Sequence, residues 1–196
     1  VRRPSRTGGP AGEGGTLAML ELDRLTKKFG ETTAVDRLDL RVAPGEFFAL
    51  LGPNAAGKTT TVRMIAGLLR PTAGRIRIAG LDLETDGERA RACIGYVPDV
   101  PFLYDKLTVV ETLDFVASVY GASGEKGRRA REEALERFEL GPARGVLAEG
   151  LSHGMRQRLV FAMATLHAPR LMLVDEPFVG LDPKSVRAVK EVLRER

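Results

Sequence analysis

Residues 47–60 combine an apolar run, a turn of small residues and a helix-forming segment. They read Phe47-Phe48-Ala49-Leu50-Leu51-Gly52-Pro53-Asn54-Ala55-Ala56-Gly57-Lys58-Thr59-Thr60. The part from Gly52 to Thr59 fits the phosphate-binding pattern G-x-x-x-x-G-K-[ST], in which backbone N–H groups and a helix N-terminus face a polyphosphate. The pattern predicts a strand over Gly45–Leu51, contact of Lys58 with the β- and γ-phosphates, and a Thr59 hydroxyl on Mg²⁺. The alternative is a glycine-rich surface turn.

A second apolar run, Leu171-Met172-Leu173-Val174, ends in two carboxylates, Asp175 and Glu176. A short continuous apolar run is typical of a parallel strand that is buried on both faces. In enzymes with a phosphate-binding loop, the first acid secures the magnesium through its water shell and the second polarises the attacking water. We therefore predict that Asp175 serves the metal and that Glu176 is the general base. A solvated strand end is the alternative.

Residues 151–155, Leu151-Ser152-His153-Gly154-Met155, open a segment with helical periodicity. Ser152 is a favourable N-cap, Gly154 permits the close approach of another backbone, and the N–H groups at a helix start attract anions. On its residues alone, this segment is an ordinary capped helix start.

These three segments resemble the nucleotide-binding domain of ATP-binding cassette (ABC) ATPases, and the resemblance extends over Met19–Arg196. It implies that residues 151–155 are the family's signature sequence, with Ser152 and Gly154 on the γ-phosphate held by a second protomer. It also implies that Asp182, in Gly180-Leu181-Asp182-Pro183, lies at the dimer interface, and that Phe29 stacks on adenine. The alternative for Phe29 is a core position. The expected ATP contacts in the phosphate loop are Gly52, Pro53, Asn54, Ala55, Ala56, Gly57, Lys58, Thr59 and Thr60.

The chain departs from the family pattern at several positions. Asp99 stands where the family usually has glutamine, so its carboxylate either binds Mg²⁺ or faces solvent. Ala55 replaces a common glycine, which costs about 1 kcal/mol if the residue adopts a positive φ. Met155 replaces the signature glutamine, a variation associated with bacterial export-type ATPases. The family's switch histidine belongs beyond Arg196, which predicts a C-terminally truncated domain with weak hydrolysis; neither His153 nor His167 substitutes for it.

The predicted fold class is α/β, a P-loop NTPase core with a mainly parallel sheet, an N-terminal antiparallel β region and a helical subdomain. We expect a disordered tail over residues 1–18, an ATPase domain over 19–196, and a helical insert at about 102–150. Met19 is an alternative translation start. The apolar runs are too short for a transmembrane helix, and the single cysteine, Cys93, suits a reducing cytosol.

The resemblance implies an ATP-binding and ATP-hydrolysing subunit that uses Mg²⁺ and drives a separate membrane-spanning permease from the cytoplasmic face of the membrane. The active form would be a homodimer or a pair with another ABC subunit. Because 26 acidic residues are interspersed with 30 basic ones, no nucleic-acid partner is expected. Two alternatives remain: a soluble ABC-type ATPase acting on the ribosome or DNA, and a truncated ATP-binding protein with little turnover.

Overall fold

The structure is a computed structural model that describes residues 18–53, 56–100 and 102–175. The chain divides into two compact units, Val1–Cys93 and Ile94–Arg196. The predicted tail, residues 1–18, lies outside the described residues except for Ala18, which is buried.

The first unit is built on an antiparallel sheet of four strands in the order β2-β1-β3-β4. The strands are β1 Leu20–Phe29, β2 Thr32–Val42, β3 Ala73–Ile78 and β4 Leu81–Asp82. Leu20 pairs with Ile78 and Leu22 with Ile76, and all four side chains are buried. Alternate apolar residues of β1 and β3 thus face the core, as a half-buried sheet requires. This sheet confirms the predicted N-terminal antiparallel region.

Two helices accompany this sheet, α1 Lys58–Ile65 and α2 Gly87–Ala92. In α1, the side chains of Thr61, Val62, Met64 and Ile65 are buried, so one face of the helix belongs to the core of the first unit. The helix ends ahead of Gly67, which has a φ of 72° and therefore leaves the right-handed helical region.

The predicted strand Gly45–Leu51 is wrong for the described structure. Residues 46–51 have no regular secondary structure; Phe47 is exposed and Leu51 is 84% exposed. An apolar run becomes a strand only where neighbouring backbones satisfy its N–H and C=O groups. Among the described residues, no strand pairs with this segment.

The second unit contains a parallel pair of strands, β5 Ile94–Val97 and β6 Leu171–Val174. Its helices are α3 Val109–Val119, α4 Gly124–Arg137 and α5 His153–Thr165, with 3₁₀ turns at Gly141–Ala143 and Ala148–Gly150. The helices and strands share one apolar core, in which Val97, Leu113, Phe138, Leu159 and Phe161 are fully buried. The α/β class is confirmed, and β5 and β6 are the parallel strands that the structure describes.

Gly95 explains how closely α5 packs on β5. A Cβ atom at this position would collide with the carbonyl oxygen of Ala164 and lie 2.6 Å from the sulfur of Met172, so only glycine fits. α3 begins with a capping box, in which Thr108 accepts from the Glu111 N–H and the Glu111 carboxylate accepts from the Thr108 N–H. That backbone hydrogen bond lowers the pKa of Glu111. Among the helices that the structure describes, none combines the length and apolarity that a membrane crossing needs.

Candidate functional site

The phosphate loop of the first unit is folded around Lys58. Lys58 Nζ donates hydrogen bonds to the carbonyl oxygens of Gly52 (2.7 Å) and Pro53 (2.9 Å). Gly57 has a φ of 80°, and a Cβ atom there would collide with the Ala34 carbonyl oxygen, so the pattern's second glycine is required on two grounds. Asn54 and Ala55 lie outside the described residues. The loop therefore turns at Gly57 and holds the Lys58 ammonium on two of its own carbonyl oxygens.

The first turn of α1 follows directly and is favourable to an anion. Lys58, Thr59 and Thr60 open the helix, and this fully described turn carries no acidic side chain. Unpaired N–H groups and the helix dipole give a helix N-terminus a positive potential. The turn thus combines a lysine, two hydroxyl groups and backbone donors, which is the chemistry that a polyphosphate requires.

Phe29 is the last residue of β1, and its ring is exposed. The Lys27 ammonium lies 5.1 Å from the ring centroid and donates a hydrogen bond to the Arg70 carbonyl oxygen at 2.7 Å. The core alternative for Phe29 is therefore wrong. An exposed ring with a cation on it suits stacking on a planar base, and the adenine contact stays a prediction.

The carboxyl ends of β5 and β6 bring two predicted metal residues to one edge of the second unit's sheet. Val97 is the register partner of Val174, and the Asp175 N–H donates to the Val97 carbonyl oxygen at 2.9 Å. Because parallel strands end at the same edge, Asp99 and Asp175 both follow that edge. Asp175 is buried and Asp99 is exposed. Among the described residues, no group of three or more potential ligands forms a ready-made metal site.

Carboxylate and hydroxyl oxygens are the donors that Mg²⁺ prefers, and the ion usually keeps several waters with one or two carboxylates. Asp175, Asp99 and Thr59 are donors of this class, so the residues present fit Mg²⁺ in type. Glu176, the predicted base, and Asp182, the predicted interface residue, lie outside the described residues.

The signature segment is the start of α5. Ser152 is its N-cap, with φ −62° and ψ 160°, and Ser152 Oγ accepts a hydrogen bond from the Met155 N–H at 3.3 Å. Ser152 and His153 are exposed, and Gly154 is half-buried. The predicted capped helix start is confirmed, and the contact of Ser152 and Gly154 with a nucleotide on a second protomer stays a prediction.

Sequence reasoning did not single out an exposed aromatic cluster in the second unit. This aromatic cluster consists of Phe102, Tyr104 and Phe115; the first two ring centroids are 5.7 Å apart and the last two 5.5 Å apart, both in edge-to-face contact. All three side chains are exposed. Two members precede α3 and the third lies on it, so no single periodic pattern reveals the cluster. Its composition, three aromatic residues within residues 102–115, is the only signal in the sequence.

His167 has a structural position. Its Nε2 lies 3.0 Å from the Ile94 carbonyl oxygen, and its ring stacks on Tyr120 with centroids 3.7 Å apart. Burial raises the pKa of Tyr120. His167 thus lies in the turn between α5 and β6 and contacts the end of α3 and the start of β5.

Comparison with known proteins gives a consistent result. The family model described as "ABC transporter" matches residues 35–179. The chain is 41% identical over 177 residues to Nod factor export ATP-binding protein I of Paraburkholderia xenovorans (strain LB400), covering 90% of this chain and 58% of the relative. It is 38% identical to the daunorubicin/doxorubicin resistance ATP-binding protein DrrA of Streptomyces peucetius, covering 89% and 53%.

A solved ATP-binding subunit of an ABC transporter superposes with a TM-score of 0.83 at 35% sequence identity, covering 90% of this chain and 74% of that one. The cbiO1 structure from Clostridium perfringens, part of the ABC transporter complex cbiONQ, superposes with a TM-score of 0.78 at 26% sequence identity, covering 91% of this chain and 73% of that one. The chain spans little more than half the length of the two curated relatives named above.

Proposed function

The chain belongs to the ABC transporter family, and we propose that it is an ATP-binding and ATP-hydrolysing subunit that drives transport through a separate membrane-spanning permease. The observation that carries the proposal is the phosphate loop, in which a left-handed Gly57 leads into α1 and Lys58 is held by two loop carbonyls. We further propose that the subunit works at the cytoplasmic face of the membrane. The name of the Nod factor export relative supports export as the direction.

When ATP binds, the Lys58 ammonium exchanges its hydrogen-bond acceptors. The ammonium leaves the carbonyl oxygens of Gly52 and Pro53 and binds β- and γ-phosphate oxygens, while the N–H groups at the start of α1 face the same anion. The loop contacts are completed by Asn54, Ala55, Ala56, Gly57, Thr59 and Thr60. The exposed Phe29 ring stacks on adenine.

Hydrolysis needs oxygen ligands for Mg²⁺ and a base. The residues that would hold the ion are Thr59, through its hydroxyl, and Asp175, through its carboxylate, with Asp99 as an additional candidate carboxylate. When bound, the ion neutralises charge on the phosphate oxygens. Glu176 then accepts a proton from the attacking water, and Lys58 stabilises the negative charge that develops on the transferred phosphoryl group.

The proposed active form contains two ABC protomers, as a homodimer or as a pair with another ABC subunit. Ser152 and Gly154 of one protomer face the γ-phosphate bound by the other, and Asp182 lies at their interface. The exposed Ser152 at the start of α5 supports this assignment, because its hydroxyl is accessible and a helix N-terminus favours an anion.

The permease is proposed to dock on the aromatic cluster. Three exposed rings in mutual contact give a surface of the kind that is enriched at protein interfaces. The surrounding residues 98–120 carry four acids, Asp99, Asp105, Glu111 and Asp114, against one base, Lys106, although the whole chain has a net charge of +4. Because Asp105 pairs with Arg156 and Asp114 with Arg131, the rings carry the argument, and a complementary permease segment would present an apolar side chain.

The experiment that tests the proposed function replaces Glu176 by glutamine. The amide keeps size and hydrogen bonding but is not basic, so the variant should bind Mg-ATP, lose at least roughly tenfold in turnover, and accumulate as a dimer. Glu136→Gln, on the exposed face of α4, is the matched control and should keep the wild-type rate. Absence of ATP hydrolysis in the wild type, or an unchanged rate in Glu176→Gln, would contradict the proposal.

A further inference from the structure

Residues 105–110 and 144–149 run side by side in the second unit as an antiparallel ladder. The ladder contains an isolated bridge between Thr108 and Leu147. Its backbone hydrogen bonds run from Val110 to Arg144 (3.1 Å), from Val109 to Val146 (3.1 Å), from Ala148 to Leu107 (2.9 Å) and from Glu149 to Asp105 (3.3 Å), each from N–H to carbonyl oxygen. The ladder extends from the residues after Tyr104 to the turn that precedes Ser152.

Two of the ion pairs formed by ladder residues, Lys106–Glu149 and Asp105–Arg156, differ in exposure. Lys106 Nζ lies 2.8 Å from the Glu149 carboxylate, which raises the pKa of Lys106, and the Lys106 side chain is 82% exposed. The Arg156 guanidinium lies 3.1 Å from Asp105 Oδ1 and also donates to the Ala148 carbonyl oxygen at 2.9 Å, and the Arg156 side chain is only 28% exposed. The first pair stays within the ladder, whereas the second ties the ladder to α5.

Arg156 is also bound to the N-cap of its own helix. The Arg156 N–H donates to the Ser152 carbonyl oxygen at 2.9 Å, so the residue ends the first turn of α5. Further along the helix, Leu159, Phe161 and Ala162 are fully buried and fix the helix through the core. The first turn has half-buried or exposed side chains instead, from Ser152 to Arg156. Within this turn the partly buried Met155 packs against the core, and Arg156 adds the side-chain hydrogen bonds that fix the orientation of the turn.

We propose that Arg156 is a positioning residue, which through Asp105 and Ala148 holds the first turn of α5, and with it Ser152 and Gly154, in the orientation needed for the γ-phosphate. This inference rests on the proposed function, because it assigns a role to residues around the signature segment. A guanidinium with two acceptors in fixed directions restrains a helix turn better than a single exposed ion pair does. A small misplacement of groups that face a reacting phosphate lowers turnover strongly.

The test compares the two ion pairs in the full chain, with ATPase kinetics at saturating Mg²⁺. Arg156→Gln and Asp105→Asn should each lower kcat by about tenfold and leave KM for ATP within about twofold, because they affect positioning rather than ground-state binding. Lys106→Gln and Glu149→Gln, in the neighbouring and more exposed ion pair, are the matched controls and should change kcat by less than about twofold. Arg156→Lys keeps the charge but not the double contact, and its kcat should be intermediate.

Amide hydrogen exchange gives a second readout that does not depend on turnover. In Arg156→Gln, exchange should accelerate at the Met155 and Arg156 amides, which donate to Ser152, and stay at the wild-type rate in the buried part of α5. Equal losses of kcat in both ion pairs, a fall in Tm that parallels kcat, or unchanged exchange at the Met155 and Arg156 amides would each overturn the inference. If the wild type does not hydrolyse ATP, the proposed function fails, whereas the exchange experiment still decides whether Arg156 holds the turn.

Discussion

Two apolar runs, Phe47–Leu51 and Leu171–Val174, look alike in the sequence and differ in the structure. Both precede the polar groups of a predicted nucleotide site, and both are predicted as buried strands. Residues 171–174 form β6, paired residue by residue with β5, and Leu173 is 8% exposed. Residues 47–51 are not a strand, and Leu51 is 84% exposed.

The difference shows what an apolar run specifies. It favours burial, but pairing is decided by a neighbour that is distant in sequence. β6 pairs with β5, which belongs to the same unit. Gly95 in β5 has no side chain, so α5 can pack closely against this strand. The unit that contains residues 47–51 has an antiparallel sheet, and none of its described strands pairs with the segment. Local sequence therefore predicts the phosphate loop better than the strand that leads into it.

The largest effect is expected from truncating one leucine in each run. Leu173→Ala removes a buried side chain and should lower the free energy of unfolding by about 2–5 kcal/mol, whereas Leu51→Ala should change it by less than about 0.5 kcal/mol. Chemical denaturation of the two variants at equal protein concentration measures both values. A loss at Leu51 as large as that at Leu173 would show that residues 47–51 are buried in solution, and the contrast between the runs would disappear.

Lys58→Ala tests the phosphate loop, which follows the run Phe47–Leu51. Removing the ammonium deletes charge-assisted hydrogen bonds to phosphate, so ATP affinity should fall by about 1.5–3 kcal/mol, a factor of roughly 10–150 in Kd. Lys126→Ala, on the exposed part of α4, is the charge-matched control and should bind as the wild type does. Calorimetry with Mg-ATP measures both, and equal affinity in Lys58→Ala and wild type would refute the assignment of the loop.

The parts of the site that the sequence predicts are those whose structure depends on residues close together in the chain. The Gly57 turn, the Ser152 cap and the end of β6 at Asp175 all follow from short patterns, and the structure has them. The features that the sequence did not reveal join distant residues: Arg156 with Asp105 across 51 positions, and Phe115 with Tyr104 between a helix and a loop. Such contacts depend on how the helices pack, and neither propensity nor periodicity encodes that.

The smallest expected effect concerns Asp99, which shares the edge of the β5–β6 pair with Asp175 but is exposed where Asp175 is buried. If the Asp99 carboxylate binds Mg²⁺, Asp99→Asn should raise the Mg²⁺ concentration for half-maximal ATPase activity by about threefold, since a neutral amide is a weaker ligand for this ion. Asp99→Gln, which restores the family's usual residue, should partly reverse that shift.

Asp175→Asn, at the buried position, should have the larger effect, because the interaction of a carboxylate with a cation is stronger in less polar surroundings. Activity measured across a magnesium titration separates these cases. An unchanged magnesium dependence in both Asp99 variants, with a clear shift in Asp175→Asn, would assign Asp99 to solvent and leave β6 alone as the metal-binding strand end.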